Sequence, residues 1–226
     1  KIRLLFTVDD DGTVTAKDVE NINAYLVPAK NVIVEASSRP PPDRAVMVWG
    51  NKPSDGGNLL LSMQEANSAV AREPFISEFI FDFVGSQEFV KGIVRRCFWI
   101  EDSDLHKVES SSFIQMRLQA VRQMRAASDA ESTRAYADRP HRFRQIQGRS
   151  ANYAIVVPKV TSESRPYLPV GILSSHSIIS DNAFALYDAP LWNLAIIASR
   201  LHLVWIATVC GKLETRYRYS NTLGWN

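Results

Sequence analysis

The chain has 226 residues, of which 46% are hydrophobic and 22% charged, so it can bury a substantial core and is not a low-complexity or polyelectrolyte tail. A formal net charge of +2 does not by itself select nucleic acid as a partner. Two cysteines, Cys97 and Cys210, each inside an apolar run, exclude a disulfide framework and suit a reducing compartment.

In chain order, residues 1–8 and 12–16 predict a β-hairpin around Asp9-Asp10-Asp11-Gly12, with Gly12 supplying the positive φ of the turn. The chain opens inside that strand without Met or a signal peptide and stops in mid-phrase at Asn226, so both ends read as cuts through a longer polypeptide. A short helix is expected over 17–26 and an apolar strand over 31–36. Arg39-Pro40-Pro41-Pro42-Asp43 is a stiff extended connector and places a domain boundary, dividing 1–42 from 43–226. Strands at 46–49 and 59–61 flank a turn-rich loop at 50–58, whose Gly56-Gly57 suits a tight turn or a phosphate cradle. A helix follows at 62–72, then strands at 79–84 and 94–100.

From Ser111 the pattern turns helical, with Phe113, Met116, Leu118, Val121 and Met124 on one apolar stripe. Eight arginines lie between 117 and 149 against Asp129, Glu131 and Asp138. Such a segment suits phosphate contact, or a solvated helix whose arginines pair with acids elsewhere. Residues 153–159 and 167–173 predict paired strands, and 178–186 another strand region. The apolar run 191–210 predicts a long buried helix, with Pro190 in its first turn and Gly211 as a left-handed C-cap. Arg200 near its middle argues against a membrane span, since a central Arg costs roughly 2.5–3.5 kcal/mol on insertion.

Residues 211–220 alternate strictly in character. As one strand they place Glu214, Arg216 and Arg218 on one face and Leu213, Thr215, Tyr217 and Tyr219 on the other. An Arg fork matches guanine O6 and N7, and a Glu carboxylate accepts from cytosine N4. The same lane also reads as an ordinary solvated ion pair. Catalytic signatures are missing: the four histidines lack metal-ligand spacing, and no P-loop, Gly-x-Gly-x-x-Gly or nucleophile elbow occurs. Asp9, Asp10 and Asp11 read as a solvated turn. Asp181 has no base or nucleophile beside it in sequence, so the chain shows no enzyme machinery of its own.

Several phrases, in order along nearly the whole chain, resemble the MmeI-like (type IIL) restriction–modification enzymes. They are Asn21-Ile22-Asn23-Ala24-Tyr25-Leu26, the run from Gly50 through Asp55-Gly56-Gly57-Asn58 to Leu59, Arg96-Cys97-Phe98-Trp99-Ile100 and Pro158-Lys159-Val160-Thr161-Ser162-Glu163. Ser180-Asp181-Asn182-Ala183-Phe184 and the run from Arg200-Leu201-His202 through Arg216-Tyr217-Arg218-Tyr219-Ser220 complete the set. Members combine a nuclease, an S-adenosylmethionine-dependent adenine-N6 methyltransferase and a target-recognition domain in one polypeptide.

The resemblance implies that 1–42 is the tail of the methyltransferase domain with its linker, and that 43–226 is the recognition domain. It implies no cofactor in this fragment and S-adenosylmethionine in the parent. The family's Asn-Pro-Pro-aromatic catalytic motif and Gly-rich cofactor motif are absent here. It further implies that Glu214 and Arg216 jointly read one base pair, and that Arg218 reads another together with Asn182 or its neighbour Asp181 or Ala183.

The expected fold is α+β, twisted hairpins packed with two prominent helices near 111–137 and 191–210. The expected function is sequence-specific recognition of double-stranded DNA, with Arg142, Arg144, Arg149 and Lys159 as positioning contacts read from charge. The expected partners are the DNA and the upstream methyltransferase and nuclease domains, with no membrane and a cytoplasmic setting. A rival reading docks a partner subunit through the Tyr217 and Tyr219 face. A third builds a phosphate-binding enzyme on Gly56-Gly57.

Overall fold

Residues 3–226 are described by the structure, a computed structural model. The N-terminal hairpin pairs β1 (Arg3–Val8) with β2 (Val14–Val19) antiparallel, and Gly12 turns the chain at φ 83°. Lys1 and Ile2, expected on the first strand, lie outside the described residues. The helix expected over 17–26 does not form, because β2 continues to Val19. Nor is 31–36 a strand. Backbone N–H groups in this stretch go to local turn carbonyls and to side chains instead of a ladder: Asn23 Oδ1 accepts from Tyr25 and Val27 N–H at 3.0 and 3.2 Å, and the Tyr25 hydroxyl accepts from Val34 N–H at 3.0 Å.

The body begins with β3 (Val48–Trp49), β4 (Leu60–Ser62), α1 (Met63–Arg72), β5 (Ile80–Val84), α2 (Ser86–Lys91) and β6 (Arg95–Phe98). Helix α1 starts where a capping box allows it: Ser62 Oγ accepts from Glu65 N–H at 3.1 Å, and the Glu65 carboxylate accepts from Ser62 N–H at 2.8 Å. Short α3 (Leu105–Val108) leads to α4 (Ser112–Ala126), capped by Ser111 Oγ on Ile114 N–H at 3.1 Å, and then to α5 (Glu131–Arg134). The inward stripe of α4 is Ile114, Leu118, Val121 and Arg125. That spacing keeps the helical period, but it differs from the expected stripe: Met116 is 63% exposed, and an arginine completes the buried row.

Strands β7 (Tyr153–Pro158), β8 (Val160–Thr161), β9 (Gly171–Ser174), β10 (Ser177–Ile179) and β11 (Ala183–Tyr187) follow. One sheet has the order β10-β5-β6-β4, with β10 parallel to β5 and the other pairs antiparallel; a second, wholly antiparallel, has the order β3-β11-β7-β9. The expected pairing of the 153–159 and 167–173 strands is therefore present, with the second strand beginning at Gly171. The β7–β11 pair is buried on both faces, which explains its unbroken apolar run. Ala154, Val156, Ala183 and Ala185 form a small-residue layer with Ile179 of the first sheet, while Ile155, Val157, Phe184 and Leu186 fill the opposite core.

That opposite core is closed by α6 (Trp192–Ala198) and α7 (Arg200–Val209). The expected single helix is thus broken, with a bend of 63°. Ser199 takes an extended conformation and its Oγ accepts from His202 N–H at 3.1 Å, so it starts a new helix and ends the old one. The pair is also not buried all round, since Leu201 is 80% exposed. Cys210, extended, ends α7, and Gly211 does not adopt the left-handed conformation expected of it. Among the described residues no single helix is long and apolar enough to cross a membrane, although α6 and α7 together pass that test by length and composition. Both cysteines lie buried, as expected.

The second core also holds His202, whose Nε2 lies 2.8 Å from the Tyr219 hydroxyl. Burial, reinforced by Arg44, pushes its imidazole from 6.5 down to about 4. Between those pH values the unfolded chain takes up a proton that the folded chain refuses, so this contribution is complete above about pH 6.5 and is lost as pH falls toward 4. The expected loss is about 3 kcal/mol at 1.36 kcal/mol per unit. Urea unfolding at pH 7 and pH 4 checks it: His202→Gln should flatten the difference, and an unchanged difference in that variant would assign the acid sensitivity elsewhere.

Candidate nucleic-acid interface

The alternating segment 211–220 is not one strand. It folds back on itself as β12 (Lys212–Leu213) and β13 (Arg216–Arg218), with Leu213 opposite Arg216 and Glu214-Thr215 as a two-residue turn. Glu214 sits at φ 58°, a left-handed conformation that hairpin turns normally give to Gly or Asn. The period-two reading survives only for Arg216 and Arg218, which share one face of β13. Glu214 joins them from the tip, where its Oε2 accepts from Arg216 Nη2 at 2.9 Å. Both partners are exposed.

The other side of β13 is anchored. Tyr217 packs half-buried on the second core, and Tyr219, 4% exposed, carries the hydroxyl bonded to His202. No Tyr217–Tyr219 face is left for a partner subunit, which overturns that rival reading. Strand β13 also pairs with β8, Tyr217 opposite Thr161 and Arg218 opposite Val160, and Tyr219 N–H donates to the Lys159 carbonyl at 2.8 Å. The arginine face is therefore carried by a three-stranded sheet rather than by a free loop.

This sheet forms one side of a cleft of about 760 Å³, lined by Arg216, Arg218, Lys159 and Asn182 and closed opposite by α2. The lining includes five cations, Lys91, Arg95, Lys159, Arg216 and Arg218, against the single acid Glu88. Asn182 is exposed, and among the described residues its side-chain amide has no hydrogen-bond partner; its main-chain carbonyl accepts from the Ser86 hydroxyl. Lys159 is more constrained. Its Nζ lies 3.3 Å from the centroid of the Trp49 ring and donates to the Asp181 carbonyl. Burial pushes this ammonium down to about 8, Asp181 opposing the shift and Arg218 and Lys52 adding to it.

Arg142, Arg144 and Arg149 do not line the cleft. Arg142 pairs with Glu101 and lies 3.9 Å from Asp102, beside the 2.6 Å His141–Asp102 contact. Arg144 Nη2 donates to Ser132 Oγ at 2.7 Å, and the Arg149 guanidinium lies 5.0 Å from the Phe81 ring centroid. Arg117 is 2.6 Å from Glu65, and Arg125 is wholly buried. Much of the charge counted between 117 and 149 is thus engaged inside the molecule.

The Gly56-Gly57 loop is likewise occupied by its own chain. The Asp55 carboxylate accepts from Gly57 and Leu59 N–H, and the Asp55 carbonyl accepts from Asn58 N–H at 3.2 Å. An aspartate already fills the place an external phosphate would take, which removes the cradle reading. Sequence reasoning missed Trp49 beneath Lys159 and the α2 wall. Trp49 carries no local signal, since it meets the cleft only through long-range packing, whereas α2 is bounded by Gly85 with Glu88 three residues on and by the left-handed Gly92.

An α+β domain with guanidinium and amide heads grouped along a cationic cleft has the chemistry that hydrogen-bond readout of an anionic partner requires. The family model described as "MmeI, target recognition domain" matches residues 28–226, and the chain belongs to that family. It is 36% identical over 212 residues to DNA methyltransferase A of Bacillus subtilis (strain 168), covering 94% of this chain and 24% of that protein. It also superposes on the type IIL restriction-modification enzyme MmeI, solved in complex with DNA, with a TM-score of 0.85 and 29% identity, over 98% of this chain and 30% of that one. The chain therefore spans well under half the length of these relatives.

Proposed function

We propose that this chain is the module that reads target sequence in double-stranded DNA for a restriction–modification enzyme methylating adenine N6. The observation that carries the reading is the grouping of Arg216, Arg218 and the unpartnered Asn182 amide along one cationic cleft. Glu214 and Arg216, already held head to head, read one base pair from the hairpin tip. Arg218 and Asn182 read another. Guanidinium, carboxylate and amide are the side-chain heads that match base edges in the major groove. Relatives described as a DNA methyltransferase and as a DNA-bound restriction–modification enzyme support the same reading.

In this reading, residues 1–42 are the methyltransferase tail and linker, and 43–226 are the recognition domain. S-adenosylmethionine is the cofactor of the parent polypeptide, whose methyltransferase and nuclease domains are the covalent partners. The bound duplex is oriented so that the methyltransferase can flip out an adenine. The setting is the bacterial cytoplasm and the role is defence. Lys159, held against Trp49, contributes charge beside Arg218. For Arg142, Arg144 and Arg149 the role is flanking phosphate contact, which suits Arg144 and Arg149 better because among the described residues neither has a carboxylate partner.

Binding of the full-length polypeptide to its target duplex is expected to weaken steeply with salt, log K falling by about 0.9 per decade of salt for each phosphate neutralised. Arg218→Ala is expected to relax discrimination at one base pair by about 5- to 150-fold. Fluorescence anisotropy between 50 and 200 mM salt tests both. Salt-independent binding, or undiminished discrimination in the Arg218 variant, contradicts the reading.

A further inference from the structure

The wall of the cleft opposite the arginine hairpin is α2, and its orientation is set from three sides. Ser86 Oγ donates to the Asn182 carbonyl and accepts from Lys159 N–H at 3.2 Å, tying the helix to the loop and strand that carry those side chains. The Glu88 carboxylate accepts from Gly85 N–H at 3.1 Å and from Arg95 Nη1 at 2.9 Å. Phe89 packs so closely on Gly171 that a Cβ there would lie 2.7 Å from its ring. With positions 86, 88 and 89 committed to the protein and Val90 apolar, Gln87 and Lys91 are the polar heads that remain, four residues apart and on one helical face. Both line the cleft and both are exposed. Among the described residues neither head has a hydrogen-bond or ion-pair partner.

We propose that α2 is a second DNA-contacting wall, in which Gln87 is a further specificity-determining residue and Lys91 grips a phosphate. The inference rests on the DNA-reading function proposed above and extends it to residues on a different element. A Gln head presents one donor and one acceptor side by side, which matches N7 and N6–H of adenine. It lines the same cleft as Asn182, and Ser86, its neighbour in the chain, is bonded to the Asn182 carbonyl. Gln87 therefore reads an adenine-containing pair adjacent to the one that Arg218 and Asn182 read. Lys91 lies one helical turn further along, at the end of α2, and its compact ammonium suits a phosphate oxygen rather than a base edge.

The test uses the full-length polypeptide and its target duplex, found by mapping methylated adenines. Wild type, Gln87→Ala, Lys91→Ala and Arg218→Ala are compared on duplexes in which each base pair is replaced in turn. In Gln87→Ala, discrimination should fall about 5- to 150-fold at one A·T position and stay unchanged elsewhere. In Lys91→Ala, binding should weaken alike on all duplexes and the salt slope should shrink by about 0.9. If Arg218→Ala loses discrimination while both α2 variants match wild type, the α2 inference fails and the broader reading stands. If Gln87→Ala weakens every duplex equally, Gln87 is a backbone contact and its base-reading role is overturned. If Arg218→Ala also matches wild type, the DNA-reading site itself has been misplaced.

Discussion

The double substitution Glu214→Lys with Arg216→Asp is expected to change which base pair is accepted at one target position while methylation continues. The two heads already touch at 2.9 Å on an exposed hairpin tip. Exchanging their charges keeps a cation and an anion side by side and reverses their order along the turn. An arginine fork suits guanine and a glutamate accepts from cytosine N4. With a lysine at the first position and an aspartate at the third, guanine and cytosine should trade strands. Each contact carries about 1–3 kcal/mol of discrimination. An exposed pair contributes only about 0–1 kcal/mol to folding, so specificity should move far more than stability. The single change Arg216→Asp sets two carboxylates together and should abolish recognition at that position. Sequencing of methylated adenines in DNA from cells expressing each variant is the readout. An unaltered target, or loss of all methylation in a well-folded protein, would count against the hairpin as reader.

Arg125→Met is expected to cost about 3–5 kcal/mol of stability. The guanidinium is fully buried and donates to five main-chain carbonyls, those of Pro53, Ser54, Tyr136, Arg139 and Arg142, at 2.8–3.2 Å. Three of those acceptors keep another partner: Tyr136 from Arg139 N–H, Arg139 from Arg142 N–H and Pro53 from Arg144 N–H. The carbonyls of Ser54 and Arg142 would lose the guanidinium with no such backbone donor, each at roughly 1–3 kcal/mol, and the remaining bonds add to the loss. Against a typical total of about 5–15 kcal/mol this is a large fraction. Arg125→Lys should recover only part of it, because three donors on a point charge cannot reproduce a five-donor fork. Arg122→Met, on the exposed side of the same helix, should stay within about 0.5 kcal/mol of wild type. Equal unfolding midpoints for the Arg122 and Arg125 variants would overturn the structural role.

What was legible in the sequence was local. Ser62 and Ser111 announced helices because a hydroxyl caps the N–H two or three residues ahead, whatever the rest of the chain does. The hairpin around Gly12 followed from its turn residues, and the β7–β9 pair from two apolar runs joined by a polar link. The turn at Glu214 gave no such notice, since Glu-Thr is not a hairpin dipeptide and its left-handed residue has a full side chain. It forms because β13 is pinned on one side by β8 and beneath by Tyr219. The break at Ser199 was hidden in the same way: composition reported an apolar run, and the capping serine inside it ended the helix.

The sequence by itself determined the α+β class, the family phrases and the residue types suited to reading bases, because these depend on composition, short-range order and side-chain chemistry. Only the tertiary structure decided which charges are free. Arg117 meets Glu65, 52 positions away, Arg125 meets carbonyls as far as 72 positions away, and Arg142 meets Glu101, 41 positions away. Arg216, Arg218, Asn182 and Lys91 are left facing one cleft. A guanidinium's partners are set by which distant backbone and carboxylate groups are desolvated beside it, and that is a property of packing that no local pattern encodes.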